Sequence, residues 1–392
     1  MSLDSVLKDI SKKFGEKVVK YGVDDLSVDG VLSLGSPSFD FCVYGGIPEG
    51  RIVEFCGPES SGKTTTAFMV AGSYIKKELE RNPNNPRAIV LLDNEGTADP
   101  VWAKKLGYDM GKNSPVRTVV IRPEGQSAEQ IFDMAIEMLK TGDVGLLIFD
   151  SIATLVPQQI NEESQEKKAM GGVAASLTRF ANTAIGLLRK YKATLIAINQ
   201  VRENIGGYGP ALITPGGRAW KHSCSMRLMF KRGDFFDDEG NKLTTSAESP
   251  AGHIIEVAVL KTKVSKWDRK VGYLHLNYVK GVDILEDTID VALHLGFIDN
   301  STQGTFKLID PETGELVCDK EGNPIKIRGR KNLKPYFEEN LKEWKVLYNK
   351  IYEKLTQKED DYMKTFNKML QEDIQSKFTD YGVDLMNDGD DL

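Results

Sequence analysis

The sequence Gly57-Pro58-Glu59-Ser60-Ser61-Gly62-Lys63-Thr64 matches the pattern G-x-x-x-x-G-K-S/T, which forms a phosphate-binding loop between a strand and a helix. In such a loop, successive backbone N–H groups point inward, and the positive end of the following helix adds to their attraction for an anion. We expect Lys63 to reach the β- and γ-phosphates of a nucleotide and the Thr64 hydroxyl to bind Mg²⁺. The flanks suit this geometry, because residues 51–56 (RIVEFC) resemble a short strand and residues 65–71 (TTAFMVA) open a helix.

Near-continuous apolar runs recur between stretches of helical periodicity. Such runs are typical of strands that are covered on both faces in a mainly parallel sheet. The runs lie at residues 87–93, 116–121, 144–150 and 193–199, with helical patterns at 127–140 and 174–191. Residues 254–260 and 272–278 predict half-buried strands that extend the sheet with antiparallel pairing. The predicted fold class is therefore α/β, a phosphate-loop ATPase core around a mainly parallel central sheet.

The pattern divides the chain into four parts. Residues 1–35 form a predicted N-terminal helical arm, in which apolar residues recur at helical spacing among lysines. This arm packs either on its own core, which is the simpler interpretation, or on a neighbouring subunit as an oligomerisation arm. Residues 36–282 form the predicted core, residues 283–378 a smaller C-terminal α+β domain, and residues 379–392 an acidic tail. Such a tail is either solvated or repels DNA.

Composition excludes several classes of protein. Of the 392 residues, 40% are hydrophobic and 28% are charged, as is usual for a soluble globular protein. We expect neither secretion nor membrane insertion, because the N-terminus has no basic-then-apolar pattern and no apolar run reaches the length of a span. The cysteines, which lack metal-type spacing, predict buried or inert thiols in a reducing, cytoplasmic compartment; they are Cys42, Cys56, Cys224 and Cys318.

The net charge of −6 bears on how the chain could hold an anionic polymer. A molecule of this charge has no global positive field that attracts nucleic acid. Any nucleic acid must therefore be held by local basic loops.

Polar side chains follow the predicted strands at the same edge of the sheet. Asp150 ends the run at 144–150, and an acidic residue at that place in a phosphate-loop ATPase holds Mg²⁺. Asp93 ends the run at 87–93 and Glu95 follows two residues later, and either carboxylate can orient the water that attacks ATP. A simple capping role for this carboxylate is the alternative.

A third strand ends in Asn199-Gln200, which places an amide at the same edge. An amide can donate to a γ-phosphate and also accept from water, so Gln200 can report whether that phosphate is present. The segment that follows, residues 201–221, is long, Gly-rich and basic, with Arg202 and Lys221. Loops of this length inside a compact domain are usually functional, so the segment predicts a nucleotide-dependent switch.

Five ordered motifs make the chain resemble the RecA-type recombinases of bacteria and phages. The resemblance covers about residues 36–300 and is weaker in the N-terminal arm. Its motifs are residues 47–54 (IPEGRIVE), 57–65 (GPESSGKTT), 98–107 (ADPVWAKKLG), 198–202 (INQVR) and 260–263 (LKTK).

The resemblance implies roles for residues that spacing alone leaves open. Glu95 would activate the attacking water and Gln200 would sense the γ-phosphate. Asp99 and Trp102 would lie against adenine, and Thr65 would extend the phosphate loop. In the RecA family a lysine pair acts in trans, so Lys261 and Lys263 would reach the ATP of a neighbour in a filament, like an arginine finger. An exposed strand face is the alternative for this lysine pair.

The family also holds DNA with two loops near the filament axis. The first would span about residues 157–175 and the second would follow Gln200, where glycine N–H groups and a few cations grip phosphates without reading bases. The implied DNA contacts are Lys167, Lys168, Met170, Gly171 and Gly172 in the first loop, and Arg202, Ile205, Gly216, Gly217 and Arg218 in the second. The chain departs from the family pattern in lacking the arginine that ends M-G-L-A-A-R, and in having Asn204 where a lysine is usual. A cluster at 328–331 (RGRK) is either a duplex-DNA contact or a solvated charge run.

These observations predict an ATP-dependent homologous recombinase. With ATP and Mg²⁺ it would form filaments on single-stranded DNA, pair them with homologous duplex DNA and exchange strands, with DNA-dependent ATP hydrolysis favouring release. Its partners would be DNA, further copies of itself and single-strand-binding or mediator proteins, with no membrane. The alternatives are a helicase or DNA motor of the same fold, and an ATP-gated DNA-binding mediator that does not exchange strands.

Overall fold

The computed structural model describes residues 2–15, 30–158, 172–203, 212–244, 248–265 and 270–356. The acidic tail at 379–392 lies outside the described residues, and so does Asn204. Five of the predicted DNA contacts also lie outside them: Lys167, Lys168, Met170, Gly171 and Ile205.

Helices form where apolar residues recur at helical spacing, commonly behind a capping side chain. At the predicted helix 127–140, the Ser127 hydroxyl accepts from the Gln130 N–H and the Gln130 side chain accepts from the Ser127 N–H, a reciprocal cap. The helices are α1 (Leu3–Phe14), α2 (Pro37–Cys42), α3 (Lys63–Arg81), α4 (Pro100–Lys105), α5 (Ala128–Thr141), α6 (Gly172–Tyr191), α7 (Gly217–Ser223), α8 (Ile284–His294), α9 (Leu333–Glu339) and α10 (Leu341–Thr356).

The structure contains strands at all seven predicted positions (51–56, 87–93, 116–121, 144–150, 193–199, 254–260 and 272–278) and further strands, among them Met226–Phe236, that the sequence pattern did not predict. Those of the first half are β1 (Val31–Leu32), β2 (Ile47–Pro48), β3 (Ile52–Gly57), β4 (Ala88–Asp93), β5 (Thr118–Ile121), β6 (Val144–Asp150), β7 (Thr194–Gln200), β8 (Arg202–Glu203) and β9 (Leu212–Ile213). They are followed by β10 (Met226–Phe236), β11 (Lys242–Leu243), β12 (Gly252–Thr262), β13 (Val271–Asn277), β14 (Gly281–Val282), β15 (Ile298–Thr302), β16 (Thr305–Leu308) and β17 (Lys326–Arg328).

A ten-stranded sheet organises the described chain, in the order β14-β13-β12-β10-β3-β7-β6-β4-β5, with β11 paired to β10. Pairing is parallel from β10 through β3, β7, β6 and β4 to β5. It is antiparallel from β10 through β12 and β13 to β14. The α/β class, the parallel core and the antiparallel extension are thus confirmed. Cover on both faces was a wrong expectation for β5, which is partly exposed because it lies at the sheet edge.

The prediction of half-buried strands at 254–260 and 272–278 is wrong, because β12 and β13 are buried on both faces. On one face, Leu274 packs in a cluster with Phe68 of α3. On the other, Tyr273 packs in a second cluster with Ile289 of α8 and Ile351 of α10. Elements that follow the core in sequence therefore cover the second face of the sheet extension, and no local pattern in the strands shows this.

The C-terminal elements attach to the start of the core through α10. The Tyr348 hydroxyl donates to the Gly35 carbonyl at 3.0 Å, and the Tyr352 hydroxyl donates to Asp40 at 2.7 Å. Strands β15, β16 and β17 form a separate antiparallel sheet beyond α8. Among the described residues, no helix has both the length and the apolar composition that crossing a membrane requires.

Two smaller expectations have mixed outcomes. Three cysteines are buried as predicted, but Cys318 is exposed. In α1, the apolar residues Leu3 and Val6 are exposed on the protomer.

Candidate nucleotide-binding and catalytic site

The predicted phosphate loop joins β3 to α3 as expected. Gly62 has φ +90°, and a Cβ there would lie 2.3 Å from the Ile255 side chain, so this position requires glycine. A Cβ at Gly57 would lie 2.3 Å from the Phe230 carbonyl oxygen. Helix α3 begins without a side-chain cap, so its first N–H groups remain available to an anion.

The Lys63 side chain folds back into this loop. Its Nζ donates to the carbonyls of Gly57 at 3.0 Å and Pro58 at 2.5 Å. Burial lowers the pKa of Lys63, although the carboxylates of Asp150 and Glu95 oppose that effect. An ammonium group buried among uncharged carbonyls would gain from a phosphate, which brings full negative charge to the same place.

Thr64 and Asp150 form the candidate metal site. The Thr64 hydroxyl donates to the Asp150 carboxylate at 2.7 Å, as the sequence predicts for two groups that share one ion. Burial raises the pKa of Asp150 to about 6, with smaller contributions from the charges of Glu95 and Asp93. Hydroxyl and carboxylate oxygens are the ligands that Mg²⁺ prefers, and a cation would offset this carboxylate's burial. No group of three or more His, Cys, Asp or Glu side chains suited to a metal occurs in the described part of the chain, so the remaining ligands would be nucleotide oxygens and water.

Glu95 and Gln200 meet beside Asp150 at the carboxyl edge of the sheet. The Gln200 Nε2 donates to the Glu95 carboxylate at 3.2 Å, and the Ser151 hydroxyl donates to the same oxygen at 2.6 Å. The competing carboxylate, Asp93, is buried and accepts from Arg122 Nε at 3.0 Å and from backbone N–H groups. Asp93 therefore has a structural role, and Glu95 is the candidate residue that orients the attacking water.

A cavity of about 390 Å³ opens over the phosphate loop, lined by Ser60–Thr65, Trp102, His253, Leu276 and Tyr278. Trp102 Nε1 lies 3.4 Å from the Thr65 hydroxyl, which places the indole beside the loop. Asp99 instead caps α4 by accepting from the Val101 N–H at 2.8 Å, and it does not line this cavity.

Sequence reasoning missed His253 and Tyr278. The His253 Nδ1 lies 2.8 Å from the Tyr278 hydroxyl, and burial lowers the pKa of His253 to about 4, so its ring is neutral at pH 7. Both residues lie on the antiparallel extension, about 190 and 215 residues from the loop, and only the sheet order brings them to the cavity.

Lys261 and Lys263 lie at the opposite edge of the sheet from the phosphate loop. Thr262, between them, pairs with Met226, and Met226 pairs with Val53 near the start of β3. Both ammonium groups donate to carbonyls in the last turn of α7, with Lys261 Nζ 2.5 Å from the Lys221 carbonyl oxygen and Lys263 on that of His222. These lysines do not reach the nucleotide cavity of their own protomer.

The two predicted DNA-binding segments are shorter as loops than expected. Residues 172–175 already belong to α6, so Gly172 is helical. Residues 201–221 are not one loop, because β8 pairs with β9 and α7 starts at Gly217. Gly216 precedes α7 with φ +107°, Arg218 is exposed on α7, and Arg202 donates to the Ala153 carbonyl at 3.4 Å.

A buried polar network joins β3 to the second segment. The Glu54 carboxylate accepts from Asn199 Nδ2 at 2.8 Å, Trp220 Nε1 at 2.7 Å and Arg227 Nε at 2.5 Å. Arg227 donates onward to the Thr214 hydroxyl at 3.0 Å. Burial acts to lower the pKa of Arg227, but the Glu54 charge outweighs it and the pKa is raised. The sequence signal was present and missed, since a glutamate inside an apolar strand needs buried partners.

The basic cluster at 328–331 is not a simple solvated run. Arg330 is partly buried and donates to Glu286 and, at 2.7 Å, to Asp290, both on α8. This arginine ties the C-terminal elements to α8, so it does not form a free basic surface.

Fold and site together define a phosphate-loop nucleotide-binding protein with a candidate catalytic edge on a parallel sheet. A family model described as the RecA N-terminal domain matches residues 1–283. The chain therefore belongs to the RecA family of ATP- and DNA-binding recombination and repair proteins.

Curated relatives extend this match along most of the chain. It is similar to the proteins named Protein RecA of Clostridium acetobutylicum, at 30% identity over 90% of this chain and 91% of that one, and of Mycoplasma mobile, at 30% over 90% and 95%. It is also similar to Protein RecA of Chlorobaculum tepidum, at 31% identity over 78% of this chain and 84% of that one.

Proposed function

We propose that the protein is a DNA-dependent ATPase that assembles into filaments on single-stranded DNA and exchanges strands with homologous duplex. One observation carries the proposal. The phosphate loop, Asp150 and Glu95 share one edge of the sheet, while Lys261 and Lys263 lie at the other edge. A protomer with its nucleotide groups on one edge and its finger lysines, Lys261 and Lys263, on the other completes its site only by stacking head to tail on a neighbour. An open series of such contacts is a helical filament.

Each residue of the site has a distinct task in the proposed hydrolysis. The Glu95 carboxylate accepts a proton from water as the water oxygen bonds to the γ-phosphorus. The bond from that phosphorus to the bridging oxygen breaks, which leaves ADP and phosphate. Lys63, from within the loop, and the two lysines of the neighbour stabilise the charge on the transferred group. Mg²⁺, held by Thr64 and Asp150, would neutralise phosphate charge.

Gln200 would couple the nucleotide to DNA. Its amide donates to Glu95 in the structure, and a γ-phosphate offers a stronger, charged acceptor. Reorientation of the Gln200 amide toward the γ-phosphate would shift the start of the segment that follows it. That segment contains Arg202, Gly216, Gly217 and Arg218. That segment, with the first loop at about residues 157–175, would hold the DNA backbone.

The oligomerisation arm supports the same model. Helix α1 has Leu3 72% exposed and Val6 36% exposed, and an apolar face of this kind needs a partner in solution. A neighbouring core would supply that partner in the filament. The four-part division of the chain into arm, core, C-terminal domain and tail remains part of this proposal.

The test combines imaging with a strand-exchange assay. With single-stranded DNA and a non-hydrolysable ATP analogue, negative-stain images should show helical filaments, and matched but not unmatched duplex should exchange strands. Closed rings would favour a DNA motor. Filaments that never exchange matched strands would favour a mediator. A protein that stays monomeric under these conditions would refute the proposal.

A further inference from the structure

The turn that carries Glu95 is closed by the buried carboxylate of Asp93. This carboxylate, which is only 2% exposed, accepts from the backbone N–H of Thr97 at 3.1 Å and from that of Ala98 at 3.3 Å. The backbone therefore folds around one side chain, and Glu95 lies between the residue that closes the turn and the residues that it binds.

Arg122 holds the same carboxylate from the neighbouring strand. Leu92 of β4 pairs in parallel with Ile121 of β5, so the residues that follow them, Asp93 and Arg122, lie side by side at the carboxyl edge of the sheet. The Arg122 Nε donates to Asp93 at 3.0 Å. Because a buried carboxylate that loses its cationic partner keeps the cost of its burial, this ion pair favours one position of the Asp93 side chain.

The other side of the turn is attached to β6. The backbone N–H groups of Asn94 and Glu95 both donate to the Asp150 carbonyl, at 2.8 and 3.3 Å, and the Asn94 side chain donates to the Ser151 carbonyl at 3.0 Å. The Glu95 backbone is thus fixed between β6 and Asp93. Its carboxylate also accepts from the Ser151 hydroxyl through Oε1, which restricts how the side chain can turn.

We propose that Asp93 and Arg122 are positioning residues that hold the Glu95 carboxylate in place for the water that attacks ATP. Neither residue lines the cavity over the phosphate loop, so both would act through Glu95 and not on the nucleotide. The inference rests on the proposed function for its catalytic step. The closure of the turn can be measured without ATP.

The size of the effect follows from the geometry of proton transfer. A general base must lie within hydrogen-bond reach of the water proton, and a displacement of about 1 Å can lower the rate by about 10²-fold. Asp93→Asn keeps the size of the side chain but removes its charge and one of its two accepting oxygens. The turn then loses the ion pair and one backbone contact. We expect kcat to fall by about tenfold, with the dissociation constant of ATP changed by less than about twofold.

The test compares Asp93→Asn and Arg122→Gln with Arg117→Gln. The control, Arg117, is exposed and immediately precedes β5, whereas Arg122 immediately follows it. The kcat for ATP is measured on single-stranded DNA, and ATP binding is measured separately by calorimetry. Amide hydrogen exchange at Thr97 and Ala98 is measured without nucleotide. Thermal unfolding and filament imaging show that each variant folds and assembles.

A second comparison separates positioning from a general loss of stability. In Glu95→Gln the group that Asp93 would position is already absent, so adding Asp93→Asn should lower the residual kcat no further. A further loss of about tenfold in this double variant would refute the positioning role, because Asp93 would then act independently of Glu95. Arg122→Lys, which keeps a cation near Asp93, should retain more activity than Arg122→Gln.

We expect Asp93→Asn to speed exchange at Thr97 and Ala98 by about tenfold, Arg122→Gln to have a smaller effect, and Arg117→Gln to change neither exchange nor kcat. Unchanged exchange in Asp93→Asn would refute the closure of the turn. Faster exchange with a wild-type kcat would refute the positioning role. A wild-type protein that hydrolyses no ATP would refute the proposed function and the catalytic step with it, while exchange would still decide whether Asp93 closes the turn.

Discussion

Mixing two inactive variants should restore ATP hydrolysis if the finger lysines act on a neighbour. One variant, Lys63→Ala, loses the phosphate-loop lysine, and the other loses both Lys261 and Lys263 by substitution with alanine. The two groups lie at opposite edges of the sheet, so neither variant damages the part of the site that the other keeps. In a mixed filament, some interfaces join a protomer that binds ATP but lacks the finger lysines to a Lys63→Ala protomer that supplies them. Such an interface has a complete site.

The geometry sets the size of the effect. Loss of a cationic finger supplied in trans lowers kcat by about 10³-fold or more, so each variant alone should be almost inactive. In an equimolar, randomly ordered filament, the required order occurs at about a quarter of head-to-tail interfaces, so the mixture should show about a quarter of the wild-type rate. The assay is steady-state phosphate release on single-stranded DNA at saturating ATP, with co-sedimentation to show that both variants enter the filament.

The control removes an exposed lysine from the same sheet without touching the site. Lys242 on β11 is 71% exposed and pairs with Asp234, and Lys242→Ala should retain full activity. The finger lysines also hold carbonyls of α7, so the double variant could fail by disturbing that helix. Restored activity in the mixture would exclude this explanation, because a misfolded double variant would not hydrolyse ATP even when the Lys63→Ala protomer supplies its finger lysines. A mixture no more active than the sum of its parts would refute action in trans.

Three further predictions address single groups. Glu95→Gln should keep ATP binding and filament formation but lower kcat by about 10²-fold or more, because an amide cannot accept the proton of water; turnover at the wild-type rate would make Glu95 structural. Arg227→Met leaves the Glu54 charge buried without its main partner, so chemical denaturation should show a loss of about 3–5 kcal/mol, and near-neutral stability would contradict the network. Burial raises the pKa of Asp40 to about 6, above its ordinary 3.8, so the folded protein binds this proton more tightly than the unfolded chain. The stability of wild type relative to Asp40→Asn should therefore decline by up to about 3 kcal/mol as pH rises from 4 to 6, measured by denaturant titration, and a constant difference would contradict the shift.

The sequence predicts the parts of the site that depend on local pattern. The phosphate loop is a continuous motif, and parallel strands end at a common edge, so Asp150, Glu95 and Gln200 are found together where strand ends place them. The choice between Asp93 and Glu95 is not local. It depends on Arg122, which follows a different strand and donates a hydrogen bond to the Asp93 carboxylate.

Features that depend on residues far away in the sequence were mispredicted or missed, because the periodicity of a strand carries no information about distant elements. The burial of β12 and β13 is set by α8 and α10, which come later in the chain and leave no mark on strand periodicity. His253 reaches the cavity only through the sheet order. The Glu54 network differs, because a carboxylate within an apolar strand is itself a signal of buried partners.

Helix α7 connects three proposed functional regions that are far apart in the sequence. Trp220 donates from this helix to Glu54 on the strand that leads into the phosphate loop, and Asn199, next to Gln200, donates to the same carboxylate. The last turn of the helix accepts from Lys261 and Lys263. A buried carboxylate with all its partners in place tolerates little independent movement, because a lost partner leaves charge uncompensated. A change at Gln200 would therefore move α7 as a unit with the finger lysines. This coupling gives a physical reason why DNA binding by one protomer of the proposed filament would affect hydrolysis in the next.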